Sequence, residues 1–285
     1  MSKFLREYEL IVGNNEEALK ITDLRVSFEI TKDLFGVPNL ARINIYNLSK
    51  DTRAQIEDEF EAIVFNIGYK GNVQNVFIGE IRNVSHARQG VDFITTLFCG
   101  DGDKTYRNGF VSFSLENAAT TEQILDTILE QTPELVKGFV GGLDETAKRE
   151  DGIAMSGNFS EVMDKLAAET KSDWSIQDGK IQLLGYDAEN DRPIIVISSS
   201  TGMISSPTIT ELGVEVQSLI EPQVVPGQII EIKSEATNLQ FGNLFFSNPP
   251  RTDAEGFYKV VKTTMKGDTR ANDWSQTTIG RPLPQ

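Results

Sequence analysis

Two stretches of this chain echo one another. In the first, Val76-Phe-Ile-Gly-Glu-Ile crosses a polar, glycine-bearing turn into an Asp-aromatic pair with threonines behind it, Asp92-Phe93-Ile94-Thr95-Thr96. In the second, Gly256-Phe-Tyr-Lys-Val-Val leads through Gly267 to Asp273-Trp274-Ser275-Gln276-Thr277-Thr278. A duplicated hairpin implies that one β-module occurs twice. That arrangement suits a protein building a repetitive wall better than one housing a single active site. Turn length and several core residues differ between the copies, as expected if each meets its surroundings differently.

The 285 residues, 39% of them hydrophobic, can bury a substantial core in two or three compact units. The formal charge of -15 argues against a surface that grips nucleic acid, because that affinity comes from Lys and Arg displacing counterions. Cys99 is the only cysteine, so no intramolecular disulfide forms and nothing marks an oxidising compartment. Its neighbours Leu97, Phe98 and Gly100 predict a buried thiol at a strand end. The start, Met1-Ser-Lys-Phe-Leu-Arg, lacks the apolar core of a signal peptide, and no later run is long and charge-free enough to cross a membrane. An aqueous, reducing environment without direct membrane insertion is the expectation.

Residues 24–31 and 41–47 alternate with period two and flank a Gly36-Val-Pro38 turn, which predicts an antiparallel hairpin. A short helix over residues 50–60 follows Ser49 as N-cap, and strands resume at 62–69, 75–84 and 91–98. Together these predict a partly closed barrel or a strongly curved sheet. After Gly100 the texture changes. Ile124, Leu125, Ile128 and Leu129 share one helical face behind a Thr120 or Thr121 cap. Val162, Met163, Leu166 and Ala167 do the same in a second helix starting near Ser160. The glycine-rich run 138–152 between them predicts a mobile loop or hinge. Asp178-Gly179 supplies a tight hairpin turn after Trp174. From Ile194 the pattern is β again, punctuated by Pro222, Pro226 and Gly227. Phe241, Leu244, Phe245 and Phe246, in the connection 238–255, are too apolar for an idle loop and either cover the core or contact a partner.

Catalytic and metal chemistry have little to stand on. His86 is the only histidine, is expected in a hairpin turn, and has no Ser or Cys nucleophile at a recognisable motif. One His and one Cys cannot supply the usual zinc ligand set. Asp101-Gly-Asp103 begins like an acidic ion loop but lacks the later Gly and Glu, so a polar strand end is expected. The 42 acidic residues contain carboxylate pairs in number, yet no feature picks out one at glycosidase spacing. Gly138-Phe-Val-Gly141-Gly142 is followed by no Lys-Ser or Lys-Thr and is no phosphate loop. No catalytic, cofactor or metal residue is therefore assigned.

The carboxy-terminal third, with Ile204-Ser-Ser-Pro207, Gly213-Val-Glu-Val, Leu219-Ile-Glu-Pro222, Val225-Pro-Gly227-Gln-Ile-Ile and Gly256-Phe-Tyr-Lys-Val-Val, resembles the baseplate hub proteins of contractile-tailed bacteriophages such as Mu. Met265-Lys-Gly267-Asp-Thr-Arg-Ala-Asn-Asp-Trp274 is similar to an ending common in that group, although Met265 and Ala271 often correspond to a histidine and a glycine there. Phe77-Ile-Gly79-Glu-Ile, Cys99-Gly-Asp-Gly102 and the domain order also fit. The resemblance implies an α+β, mainly β fold: two related tail-tube-like β-barrel modules, residues 1–105 and 191–285, flanking a small α+β insert at 106–190. It further implies a structural, non-enzymatic hub in the virion's tail baseplate, made in the host cytoplasm. Such a hub is a homotrimer whose pseudo-sixfold ring joins the tail tube or an adaptor above to a trimeric spike below, among surrounding baseplate proteins. DNA passes through it without specific binding. A tail-associated cell-wall hydrolase and the equivalent hub of a bacterial contractile injection system are the alternatives.

Structural roles are expected of Gly213, Pro222, Pro226, Gly227, Gly256, Gly267, Asp268 and Trp274 in the turns and core of the second module, and of Gly79, Asp92 and Phe93 in the first. Glu29, Asp58, Glu80, Glu215 and Glu231 are candidate acidic groups for a channel wall that repels phosphate, or simply solvated surface. The insert is expected to face outward or toward neighbouring proteins, so that its deletion spares the ring.

Overall fold

The computed structural model describes residues 5–116, 119–143, 152–210, 213–239 and 253–283. Strands make up 53% of the described residues and helices 15%. The first segment contains β1 (Arg6–Gly13), β2 (Ala18–Ile21), β3 (Val26–Asp33), β4 (Leu40–Tyr46), α1 (Lys50–Asp58), β5 (Ala62–Tyr69), β6 (Asn72–Gln89) and β7 (Asp92–Gly100). Next come α2 (Asp103–Asn108), β8 (Phe110–Leu115), α3 (Thr121–Glu130), β9 (Val136–Gly141), β10 (Ile153–Asn158), α4 (Phe159–Glu169), β11 (Ser172–Gln177) and β12 (Lys180–Gly185). The chain ends with β13 (Ile195–Ser198), β14 (Thr208–Thr210), β15 (Gly213–Ser218), β16 (Ile229–Lys233), β17 (Asn238–Leu239), β18 (Gly256–Asp268) and β19 (Trp274–Pro282).

The first and last segments share one sheet of 14 strands. Its main path runs β17-β14-β15-β19-β18-β3-β4-β7-β6-β5-β1-β2, with β16 on β18 and β13 on β16. No closed barrel is found among the described strands. The two halves nevertheless repeat one another. The first reads β3-β4-β7-β6-β5-β1 and the second β14-β15-β19-β18-β16-β13, with the same order of strands in space and along the chain. Only the last pairing differs, β1 on β5 being antiparallel and β13 on β16 parallel. The echoed hairpins are β6–β7 and β18–β19, at corresponding places. Each long strand carries a β-bulge, at Arg82 and at Val261, and the pairs next to it, Asn83↔Phe98 and Lys262↔Ile279, lie equally far from Phe93 and Trp274.

Period-two burial explains the strands. In β3, Val26, Phe28 and Ile30 are buried and Ser27, Glu29 and Thr31 are not. The helices follow their caps: the Ser49 side chain accepts from Thr52 N, and Thr120 forms a capping box with Gln123. Asp178 (φ 55°) and Gly179 (φ 76°) form the expected two-residue turn between β11 and β12.

Several expectations are corrected. The chain has two unanticipated strands, β1 and β2, before residue 24. His86 lies inside β6, paired with Thr95, and not in a turn. Residues 138–141 are not a loop: they belong to β9, which runs parallel to β12, and a Cβ on Gly138 would sit 2.7 Å from the Ile181 carbonyl oxygen. Glycine there permits close packing of backbones. Phe241, Leu244, Phe245 and Phe246 lie outside the described residues.

Candidate assembly surface

The junction between the halves is a strand pairing. Residues 262–268 of β18 lie antiparallel against β3, with Lys266 opposite Glu29 and Met265 opposite Ile30. The β18–β19 tip reaches deep into the first half. Trp274 is 3% exposed, packs edge-on against Phe28 at 5.5 Å between ring centroids, and belongs with Met265 to the core formed by Phe28, Phe65, Phe77 and Leu97. Gly267 also faces Phe28, whose ring would lie 2.4 Å from an added Cβ. Gly267, Asp268 and Trp274 thus serve the first module rather than the second. The pairing with β3 carries them across the seam.

The Gly267-Asp-Thr-Arg turn is a lock. Arg25 donates from Nε (3.1 Å) and Nη2 (2.8 Å) to Asp268 Oδ2, while Asp268 Oδ1 accepts the backbone N–H of Arg270 and Ala271. Burial alone would raise the Asp268 carboxyl, but these hydrogen bonds hold it below its ordinary value. Thr269 exchanges two bonds with Val26, and Arg6 Nη1 donates to the Ala271 carbonyl at 2.6 Å. In the sequence this run shows only as a turn; its partners Arg25 and Val26 stand 243 positions away and Arg6 265.

The insert closes the seam instead of standing apart. Lys32, 2% exposed, reaches from β3 to both carboxylate oxygens of Asp178 at 2.8 and 2.9 Å. Asp101, 1% exposed, accepts the N–H groups of Asp178 and Gly179 and the Asn39 amide. Burial, reinforced by the Asp178 charge, pushes the Asp101 carboxyl up to about 6. From β18, buried Lys259 donates to the carbonyls of Gly185 and Tyr186, and burial pulls its ammonium down to about 8. Leu34, Leu184 and Val261 fill the space between. Deleting the insert would strip both lysines of partners. Deletion is therefore expected to destabilise the subunit, whatever it does to the ring.

The remaining site residues fall into place individually. Gly213 (φ 131°) leaves no room for a Cβ, which would stand 2.1 Å from the Gly280 oxygen. Gly227 donates to the Val260 carbonyl, and the neighbouring Pro226 carbonyl accepts from Gln182 of the insert. Pro222 and Pro226 are buried, and Gly256 (φ 144°) opens β18. Gly79 lies against the Gly100 carbonyl and the Phe77 ring. Asp92 accepts from Asn47, and Phe93 stacks under Arg53 at 3.6 Å. His86 bonds Thr95 and stands 3.3 Å from Glu57. Cys99 is buried in β7 and its thiol is pushed up to about 12 by desolvation.

By register, Glu29, Glu80, Glu215 and Glu231 all project from the sheet face opposite the buried cores. The structure does not leave them as a bare acidic wall. Glu29 pairs with Lys266 at 2.9 Å, Glu231 with Lys233 at 3.1 Å, and Glu80 accepts the Lys104 N–H. Glu215 and Asp58 are exposed. Between these groups the face carries hydroxyls, among them Ser27, Thr31, Thr264, Ser275 and Thr277.

A model of the family described as Baseplate hub gp41 matches residues 9–241. The chain belongs to that family. It is accordingly a structural component of a phage tail baseplate. Solved structures share the fold. The 43 kDa tail protein of prophage MuSo2 from Shewanella oneidensis superposes with TM-score 0.65 at 10% identity, over 96% of this chain and 97% of that one. The tail protein from Neisseria meningitidis MC58 gives 0.60 at 9%, over 96% of both. The E. coli c3393 protein, a type VI secretion component described as similar to T4 tail proteins gp27 and gp5, gives 0.61 at 11%, over 97% of this chain and 77% of that one. No curated protein matches. Membership in the family agrees with the hub resemblance of the sequence motifs.

Proposed function

We propose that three copies of this baseplate hub close into a ring of six related modules, joining the sixfold tail tube on one face to a trimeric spike on the other. The carrying observation is the strand order shared by the two halves, with β6–β7 and β18–β19 at corresponding places. A threefold assembly presents six near-equivalent docking surfaces only if each subunit contributes two. The division into two tube-like modules and an intervening insert belongs to the same proposal. The large sheet's outward face, with its hydroxyls and locally neutralised carboxylates, lines the channel. Two of its carboxylates, Glu29 and Glu231, are paired with lysines, and phosphates passing it find no basic groove to grip them. The insert, clamped over the seam, offers its far side to neighbouring baseplate proteins. Nothing in this role requires catalysis.

The mass of the purified protein tests the reading. A species of three chains is expected, with no release of soluble fragments from peptidoglycan. A monomer that lyses cell walls, and loses that activity when one carboxylate is replaced, would favour a hydrolase instead.

A further inference from the structure

The two equivalent long strands differ in what lies along their distal halves. Before its bulge β18 pairs with β16, and after it with β3. Before its own bulge β6 pairs with β5, but over residues 83–89 its partner among the described strands is β7 alone. The consequence is visible in burial. At equivalent positions Thr263, Met265, Gly267 and Asp268 are buried, whereas Val84 and His86 are half-buried and Arg88 and Gln89 are exposed. A strand edge of this length is a template for another chain.

The molecule itself shows what fills such an edge. In the second half the occupant is β3, and the counterpart of β3 is β14: the row Glu29, Arg42, Phe98 matches the row Thr208, Glu215, Ile279. Among the described residues no second β3 covers β6. We propose that the open edge of β6 pairs antiparallel, through residues 85–87, with β14 of a second copy of this chain; this rests on the ring proposed above and names its contact. Carrying over the register of Lys266 on Glu29 and Met265 on Ile30 places Ala87 opposite the neighbour's Thr208 and His86 opposite its Ile209. In the single subunit the outer edge of β14 holds β17, a parallel pairing of two exposed residues, Asn238 and Leu239. The neighbour's β6 displaces this short parallel cover with an antiparallel pairing along all of β14. The contact joins unlike edges, so each subunit offers β6 on one side and β14 on the other, and repetition closes a ring.

Cysteine cross-linking tests the register. Full-length chains carrying Ala87→Cys are mixed with chains carrying Thr208→Cys, denatured and refolded together, and treated with a short bifunctional thiol reagent. Native Cys99 is buried and does not compete. A covalent dimer is expected from the mixture and from neither variant alone, and the double variant on one chain is expected to give a ladder ending at the full ring. A trimer that gives no cross-link overturns the edge pairing and leaves the ring standing. A trimer that cross-links through Asn238→Cys in place of Thr208→Cys shows β17 retained, and also overturns it. A protein monomeric at about 100 µM, far above the Kd of a stable oligomer, contradicts both readings.

Discussion

Arg25 and Asp268 meet across the seam between the two halves, the guanidinium donating twice to a carboxylate oxygen whose residue is only 6% exposed. The same carboxylate holds the backbone of the turn that follows it. Asp268→Ala removes all four bonds at once and leaves two backbone N–H groups without their acceptor. The expected cost is ~2–3 kcal/mol, given that bonds to charged groups outweigh neutral ones but Arg25 stays partly solvated. Urea unfolding of the purified variant measures it, with Asp268→Asn expected to recover part of the loss because an amide oxygen can still accept.

Trp274→Ala should damage the first module although residue 274 closes the chain's last hairpin. The side chain fills space between Phe28 and the rest of that core, and its removal is expected to cost ~3–5 kcal/mol. Hydrogen exchange should show the loosening in β1 and β3; loosening confined to β13–β16 would contradict this placement.

Stability should depend on pH through two buried groups on either side of the insert. Asp101 titrates near 6 when folded and near 3.8 when not, so between those values the folded state alone keeps its proton and stability falls as pH rises. Lys259 behaves oppositely. Its folded value of about 8 lies below the ordinary 10.5, the unfolded chain holds the extra proton between them, and stability rises with pH through that range. Asp101→Asn is expected to flatten the fall between about 4 and 6, and Lys259→Met the rise above 8. Thermal unfolding across pH, at constant ionic strength, reads both slopes.

Gly213→Ala is expected to disturb the β15–β19 pairing, because its φ of 131° is foreign to L side chains and the new methyl would overlap the Gly280 carbonyl at 2.1 Å. Poor yield or a strongly lowered Tm is the expected outcome. Gly90→Ala, also at positive φ but in open space, should cost only ~1 kcal/mol.

Local pattern carried much of this fold into view. Period-two burial marked β3 to β7, Ser49 and Thr120 marked their helices, and Asp178-Gly179 marked its turn, because each signal lies within a few residues of its effect. The repeat was legible for the same reason, since both hairpins carry their Asp-aromatic pairs in sequence. What escaped is long-range. Nothing near Trp274 says that its ring will fill the other half's core, and nothing near Lys32 announces Asp178 in the insert. Asp101 read as a polar strand end, and its three N–H donors come from Asn39 and the β11–β12 turn. The candidate acidic residues follow from period-two alternation, whereas the lysine partners of Glu29 and Glu231 depend on how the strands fold.

The central claim is that two halves of one chain act as near-equivalent units around a threefold axis. Single-particle imaging of the purified hub, reconstructed without imposed symmetry, tests it most directly. The account predicts a ring of three chains with an open centre and six similar densities around it, the two in each chain related by a rotation near 60° about the axis. A ring of six chains, or three chains whose halves are unrelated by any such rotation, would contradict it.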